Sequence, residues 1–355
     1  MSHAQVPSVV MRDITDLLAA NLPRRQPLAG FDPEYADIVD YIVRCTHRIW
    51  EEGNVGLIRT HYAPECRLHT LAGDLDGAEA VVANTIKTLA AFPDRQLYAD
   101  NVIWSGDEHN GFYTSHRITS SMTNLGASEL GPATHRRARV ATIADCVVKA
   151  NRIHEEWLVR DNLHLVLQLG LDPHAIAARG AAEDRAAPLE RRRWREREIA
   201  RVSSSQEVYA EAADSPEPAR VAAEAWHTIW NEGAFSHVRD VYASTCHVHA
   251  PSGRVLFGHG ETIGFMVHLL GALPDARVTV DHVCAIPYAG LGHDIAIRWT
   301  LAGTHSGHGL HRPPTGLTLL IMGVTHWRTI DGRVVEEWTV FDELALLRQM
   351  YWGES

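Results

Sequence analysis

The chain has 355 residues, enough for two ordinary domains, and its 45% apolar and 22% charged content is that of a soluble globular protein. A formal net charge of −11 argues against a nucleic-acid groove and against an anionic membrane surface, both of which need a basic face. Widely spaced Cys45, Cys66, Cys146, Cys246 and Cys284, with no Cys-x-x-Cys, suit a reducing cytoplasm; Asp13 and Asp16 interrupt any signal-peptide core, and no run approaches the ~18 apolar residues of a membrane span, so a cytoplasmic protein is expected.

Residues 1–33 read as an N-terminal arm punctuated by Pro23, Pro27 and Pro33. Ile38, Ile42, Cys45 and Ile49 then recur at helical spacing, with Val39, Val43, Thr46 and Trp50 beside them. That stripe predicts an amphipathic helix, which Gly53 ends. Strands are predicted over 66–70, 96–103, 112–120 and 140–148, and a short apolar helix over 163–169. Residues 175–218 differ in composition, being rich in Ala, Arg and Glu. The run Arg191-Arg192-Arg193-Trp194-Arg195-Glu196-Arg197-Glu198 reads as a solvated linker helix rather than a nucleic-acid patch. Ser203-Ser204-Ser205 and Ser215-Pro216-Glu217-Pro218 read as flexible joints. Val221, Ala222, Ala225, Trp226, Ile229 and Trp230 then form a second helical stripe, ended by Gly233. Strands follow over 246–250, 277–284, 295–300, 317–326 and 336–342, the last leaving a tight turn at Asp331-Gly332. A final helix covers 344–350.

The second half repeats the first. Ile49-Trp50-Glu51-Glu52-Gly53 returns as Ile229-Trp230-Asn231-Glu232-Gly233, an offset of 180. Glu155-Glu156-Trp157-Leu158-Val159-Arg160-Asp161 returns as Glu336-Glu337-Trp338-Thr339-Val340-Phe341-Asp342, an offset of 181. A repeat of this length is a duplicated domain, not a solenoid unit. Each copy places helices first and then antiparallel strands, an α+β pattern with helices on one face of a curved sheet. The expected domains are 34–174 and 219–355.

The Glu-Glu-Trp-x-x-x-Asp segment is the leading candidate for chemistry. On a strand, Glu336, Trp338, Val340 and Asp342 share one face, as do Glu155, Trp157, Val159 and Asp161. If that face lines a cavity, its apolar wall raises the carboxyl pKa and allows proton transfer near neutrality. The alternative is that each Asp caps the helix that follows it. His247 and His249 share a strand face, matched by Arg67 and His69 in the first copy, and a histidine pair at i, i+2 could bind a metal or polarise a carbonyl. The spacing His305-x-x-His308-x-x-His311 suggests a metal, but it falls in a glycine-rich stretch and not on a helix, so nothing places all three on one face, and hydrogen-bonded or exposed histidines are the simpler account. Arg298 and Arg117 lie among β-forming residues; they either pair with a carboxylate such as Glu336 or Glu155, or stabilise a substrate anion or enolate. Trp50, Trp230, Tyr62 and Tyr242 read as core or cavity wall. No glycine-rich phosphate loop, Gly-x-Ser-x-Gly or His-Glu-x-x-His occurs.

The second copy, with Arg298-Trp299-Thr300-Leu301-Ala302-Gly303-Thr304-His305-Ser306-Gly307, Pro313-Pro314-Thr315-Gly316 and Asp331 through Trp338, resembles the SnoaL-like polyketide-cyclase branch of the NTF2-like superfamily. The first copy is similar more loosely, keeping Ile49-Trp50, His69, Arg117, Glu155, Trp157, Asp161 and Leu167-Gln168-Leu169-Gly170. The resemblance implies two cone-shaped α+β domains with apolar pockets. It implies aldol-type chemistry with no metal or organic cofactor, with Asp342 and by repeat Asp161 as acid/base. Substrate contacts would come from Trp338, Trp157, Arg298, Arg117, Glu336, Glu155, Trp230, Tyr242 and His305, with His249 and His69 orienting or polarising. The fold also hosts dehydratases, isomerases and plain binders. The expected partner is a small molecule, and the two copies are expected to pair as an internal pseudo-dimer.

Overall fold

A computed structural model describes residues 6–19, 22–186, 189–204 and 215–353. The chain divides into two compact units, Met1–Arg160 with Leu165–Leu171, and Asp161–His164 with Asp172–Ser355.

In the first unit, helix α1 (Ile14–Leu18) precedes α2 (Ile38–Trp50). Asp37 caps α2 by accepting from the Asp40 amide at 2.8 Å. A short α3 (Ile58–His61) leads into β1 (Tyr62–His69), β2 (Leu75–Asp76), α4 (Ala78–Ala91), β3 (Gln96–Asp107), β4 (Gly111–Thr123), β5 (Arg137–Lys149) and β6 (Arg152–Arg160), and α5 (Asn162–Gln168) follows. The strands form one sheet in the order β2-β1-β6-β5-β4-β3. The expected antiparallel pairing holds throughout except between β1 and β6, which run parallel with Arg67, Leu68 and His69 opposite Glu155, Glu156 and Trp157. The long excursion through β2, α4 and three further strands supplies the crossover that parallel pairing needs.

The second unit repeats this plan after two helices of its own, α6 (Pro173–Ala186) and α7 (Leu189–Ser204). Then come α8 (Glu217–Trp230), α9 (Val238–Val241), β7 (Tyr242–Ala250), β8 (Arg254–Phe257), α10 (Gly258–Ala272), β9 (Arg277–Tyr288), β10 (Gly292–Thr304), β11 (Thr318–Ile330), β12 (Arg333–Phe341) and α11 (Glu343–Gln349). Its sheet order is β8-β7-β12-β11-β10-β9, with β7 and β12 parallel. The β11–β12 turn has Asp331 at φ 49° and Gly332 at φ 75°, the two positive angles of a type I′ hairpin. Both units are α+β domains with matching strand order.

Helices α4 and α10 are absent from the sequence reading. Helix α7 is not a free solvated rod. Arg201 reaches Asp281 on β9 at 3.0 Å, and the Arg195 guanidinium lies 4.3 Å from the centre of the Trp352 ring. Of the two expected joints, Ser205 lies outside the described residues, and Pro216 stands at the N-cap of α8.

Candidate active site

The interior of the first unit holds a cavity of about 60 Å³ between the sheet and helices α2 and α4. Strand alternation decides what it contains. On β6, Glu156, Leu158 and Arg160 line it, so Glu155, Trp157 and Val159 point to the other face. On β4 the inward residues are His116 and Ile118; on β1, Tyr62 and Leu68.

Glu156 is the central group. Its carboxyl is buried, and the Tyr62 hydroxyl donates to Oε2 at 2.8 Å. Burial pushes it up to about 7, against the pull of the Tyr62 hydrogen bond and the Arg160 charge. A carboxyl poised there can both take and return a proton at neutral pH. Arg160, whose charge acts on Glu156, lines the same cavity, as do Arg95 and His116. The His116 ring is fully buried and burial pulls it down to about 3, so it is a neutral imidazole. Its Nδ1 lies 3.5 Å from Thr46 Oγ1, and its buried Nε2 has no hydrogen-bond partner among the described residues.

The matching interior of the second unit is built differently. Trp226, Trp230, Trp299, Trp327, Tyr242 and Phe341 are all buried there. Ring centres lie 5.5 Å apart for Trp226–Trp230, 5.8 Å for Trp226–Trp299 and 5.7 Å for Trp226–Trp327. Glu337, the counterpart of Glu156, accepts from Tyr242 (2.5 Å), Trp327 Nε1 (2.9 Å) and Thr339 (2.6 Å). In the first unit Cys146 and Leu158 stand where Trp327 and Thr339 would be. Two of three donors are therefore gone, and the Glu156 carboxyl faces open space instead.

The aspartates Asp161 and Asp342 are buried rather than solvated, and both serve as helix caps. Asp342 accepts from the Ala345 amide at 2.9 Å and from Asn162 Nδ2 at 2.5 Å; burial pushes it up to about 6. Asp161 accepts from the His164, Ser252 and Gly253 amides, and burial raises it as well. Neither is among the residues that line the cavity of the first unit.

His69, Glu155 and Trp157 form one cluster, and His249, Glu336 and Trp338 form its match in the second unit. His69 lies between Asp74 (3.1 Å) and Glu155 (3.0 Å) and stacks on Trp157. Burial lowers it, but the two carboxylates outweigh burial and raise it overall. His249 lies 3.2 Å from Glu336 and stacks on Trp338. The arginines do not pair with these glutamates: Arg298 Nη1 is 3.8 Å from Asp281, and Arg117 acts on Asp100. Both carboxylates belong to the strand neighbouring the arginine, so cross-strand pairing decides the partner. Trp230 and Tyr242 lie in the aromatic interior of the second unit, whereas their counterparts Trp50 and Tyr62 line the cavity of the first. His305 is buried against Thr315 at 3.1 Å, and His311 is 3.7 Å from Glu343.

Glu156, Arg160, Arg95 and His116 escape the sequence reading. Two adjacent glutamates place one carboxylate on each face of a strand, and only the packing of α2 and α4 decides which is enclosed. The repeat itself carried a signal, since Arg160, His116 and Arg95 stand opposite Phe341, Ile297 and Ala276.

Two six-stranded mixed sheets with helices packed on them, one of them bounding the cavity that Glu156 lines, define a tandem α+β protein. The sequence profile of the SnoaL-like polyketide cyclases matches residues 41–169 and again 220–350. With more than half of its length matched, the chain belongs to that family. Among solved structures it is similar to TsrD from Streptomyces laurentii, at 24% identity over 37% of this chain and 94% of that one, TM-score 0.33. Wild-type IdmH from Streptomyces antibioticus is 25% identical over 38% of this chain and 99% of its own, TM-score 0.32. A SnoaL-like protein from Jannaschia sp. CCS1 is 22% identical over 39% and 96%, TM-score 0.34. No curated protein matches. No helix among the described residues is long and apolar enough to cross a membrane.

Proposed function

We propose that the cavity of the first unit is the active site of an acid–base enzyme acting on a carbonyl-bearing small molecule, of the aldol or retro-aldol class. Glu156, rather than Asp161 or Asp342, is the acid/base. The observation that carries this is a buried carboxyl near neutral pKa whose one side-chain hydrogen-bond donor is Tyr62, in a domain of the SnoaL-like family.

In the forward direction the Glu156 carboxylate takes the proton from a carbon α to a carbonyl. The C–H electron pair becomes an enolate, whose negative charge the Arg160 guanidinium stabilises. The enolate carbon attacks a second carbonyl to form the new C–C bond, and the resulting alkoxide recovers the proton from Glu156. The reverse sequence cleaves that bond. Holding both carbonyls in one pocket supplies the proximity that intramolecular closure needs.

The first half-reaction can be tested without knowing the natural substrate. In D₂O, the protein should exchange the α-protons of members of a panel of small ketones and oxo acids, followed by proton NMR. Glu156→Gln should lose about two to four orders of magnitude in exchange rate, the usual worth of a general base. Glu337→Gln, Asp161→Asn and Asp342→Asn should keep it. Exchange by Glu156→Gln at the wild-type rate would sink the assignment.

A further inference from the structure

Arg95 lies between α4 and β3 with its guanidinium in the cavity wall. It is 7% exposed. Nη2 donates to Ser120 Oγ at 3.0 Å, while the buried Nε has no hydrogen-bond partner among the described residues. Among the described residues no carboxylate lies within ion-pair distance of it. A cation taken out of water ordinarily needs a counter-charge and full hydrogen bonding. Burial and the like charge of Arg160 pull Arg95 down to about 9, which still leaves it a cation at neutral pH.

The fold does not require this group. Asp94 accepts from the Thr123 amide in the first unit as Asp275 accepts from the Thr304 amide in the second. That contact fixes the correspondence, and the residue after the aspartate is Arg95 in one unit and Ala276 in the other. The same architecture therefore closes with a methyl group at this position. The cavity carries two guanidinium groups, Arg95 and Arg160, against a single carboxyl, Glu156.

We infer that Arg95 recognises a carboxylate, and that the substrate class of this cavity is a small oxo acid, a carbonyl compound with a carboxylate of its own. The inference rests on the cavity of the first unit being the reacting site. The planar guanidinium fork matches a carboxylate in geometry as well as charge, so it would fix the orientation of the substrate as well as hold it. The incoming anion supplies the counter-charge that the protein does not.

Binding of acetoacetate and of its neutral isostere acetoacetamide, measured by titration calorimetry at neutral pH, tests this on the wild-type protein alone. Acetoacetate should bind at least about tenfold more tightly, as a charge-assisted pair implies. Arg95→Gln should abolish that preference, Arg95→Lys should keep part of it, and Glu156→Gln should keep it in full. Equal binding of the two probes, no saturable binding of either, or a preference that survives Arg95→Gln in a folded variant would overturn the inference. Because binding is read without turnover, Glu156→Gln separates the two claims. Loss of proton exchange with an anion preference independent of Arg95 leaves the acid–base assignment standing and removes this one; retained exchange with an Arg95-dependent preference does the opposite.

Discussion

The two halves share a fold and differ in what fills it. In the second unit four aromatic side chains, Trp226, Trp299, Trp327 and Phe341, meet in the interior beside Trp230 and Tyr242. In the first, the corresponding positions hold Thr46, Ile118, Cys146 and Arg160, all of which line the cavity. Close packing explains why so few exchanges matter: an interior at crystal-like density opens a usable hollow when a few rings are withdrawn. The same exchanges strip hydrogen-bond donors from one carboxylate and not the other. Burial raises both carboxyls and the Tyr62 and Tyr242 hydroxyls hold them alike, but Glu337 has two further donors, Trp327 and Thr339, that Glu156 lacks among the described residues.

The sharpest way to break this comparison is to hollow out the filled half. Trp299→Ile copies Ile118 into the second unit and should destabilise that unit by roughly 2–4 kcal/mol, through lost burial and the void left behind. Chemical denaturation would show it as a lowered midpoint, and an unchanged midpoint would mean the aromatic cluster is not a packed core.

A smaller effect lies in the pH dependence of the first unit. Glu156 titrates at about 7 when folded, against an ordinary 4.5. Between those values the folded state holds a proton that the unfolded state releases, so stability falls as pH rises from about 4.5 through 7. At about 1.4 kcal/mol per pKa unit the full loss above that window is about 3 kcal/mol. Glu156→Gln should reduce the slope by that amount, leaving the part due to other raised carboxyls such as Asp342, and be the more stable form at pH 8, as read from urea midpoints across pH. A slope between pH 6 and 8 unchanged in this variant would place the titrating group elsewhere.

The smallest change concerns the caps. Asp342→Ala removes the acceptor for the Ala345 amide and should cost about 1 kcal/mol, measured by thermal unfolding. Loss of proton exchange in that variant at unchanged fold would return Asp342 to the chemistry.

Much of the architecture was legible because it is written twice. The apolar stripe from Ile38 to Ile49 and the Asp331-Gly332 turn each has a local physical cause, and each has a partner in the other copy. Helices α4 and α10 were not seen: α4 is rich in Ala and Thr, and α10 opens on Gly258 and contains Gly260, Gly264 and Gly271, so neither shows a clean stripe. The candidate site was legible only as a segment. In the first unit the enclosed face of that segment is Glu156 and Arg160, set by helices packed from elsewhere in the chain. Arg95 and His116 lie far from that strand in sequence, and no local pattern joins them to it.

The helices that precede the second repeat bear on how the protein can be taken apart. Asp184 on α6 pairs with Arg348 on α11 and accepts from Trp352 Nε1 at 3.0 Å, and His174 meets the Tyr351 hydroxyl at 2.9 Å. A C-terminal fragment beginning where the homology begins, near residue 219, would leave a cationic Arg348 and two aromatic side chains stripped of these companions. One beginning near residue 172 would carry its own fastening, so the boundary of the ancestral repeat is not the boundary at which the molecule should be cut.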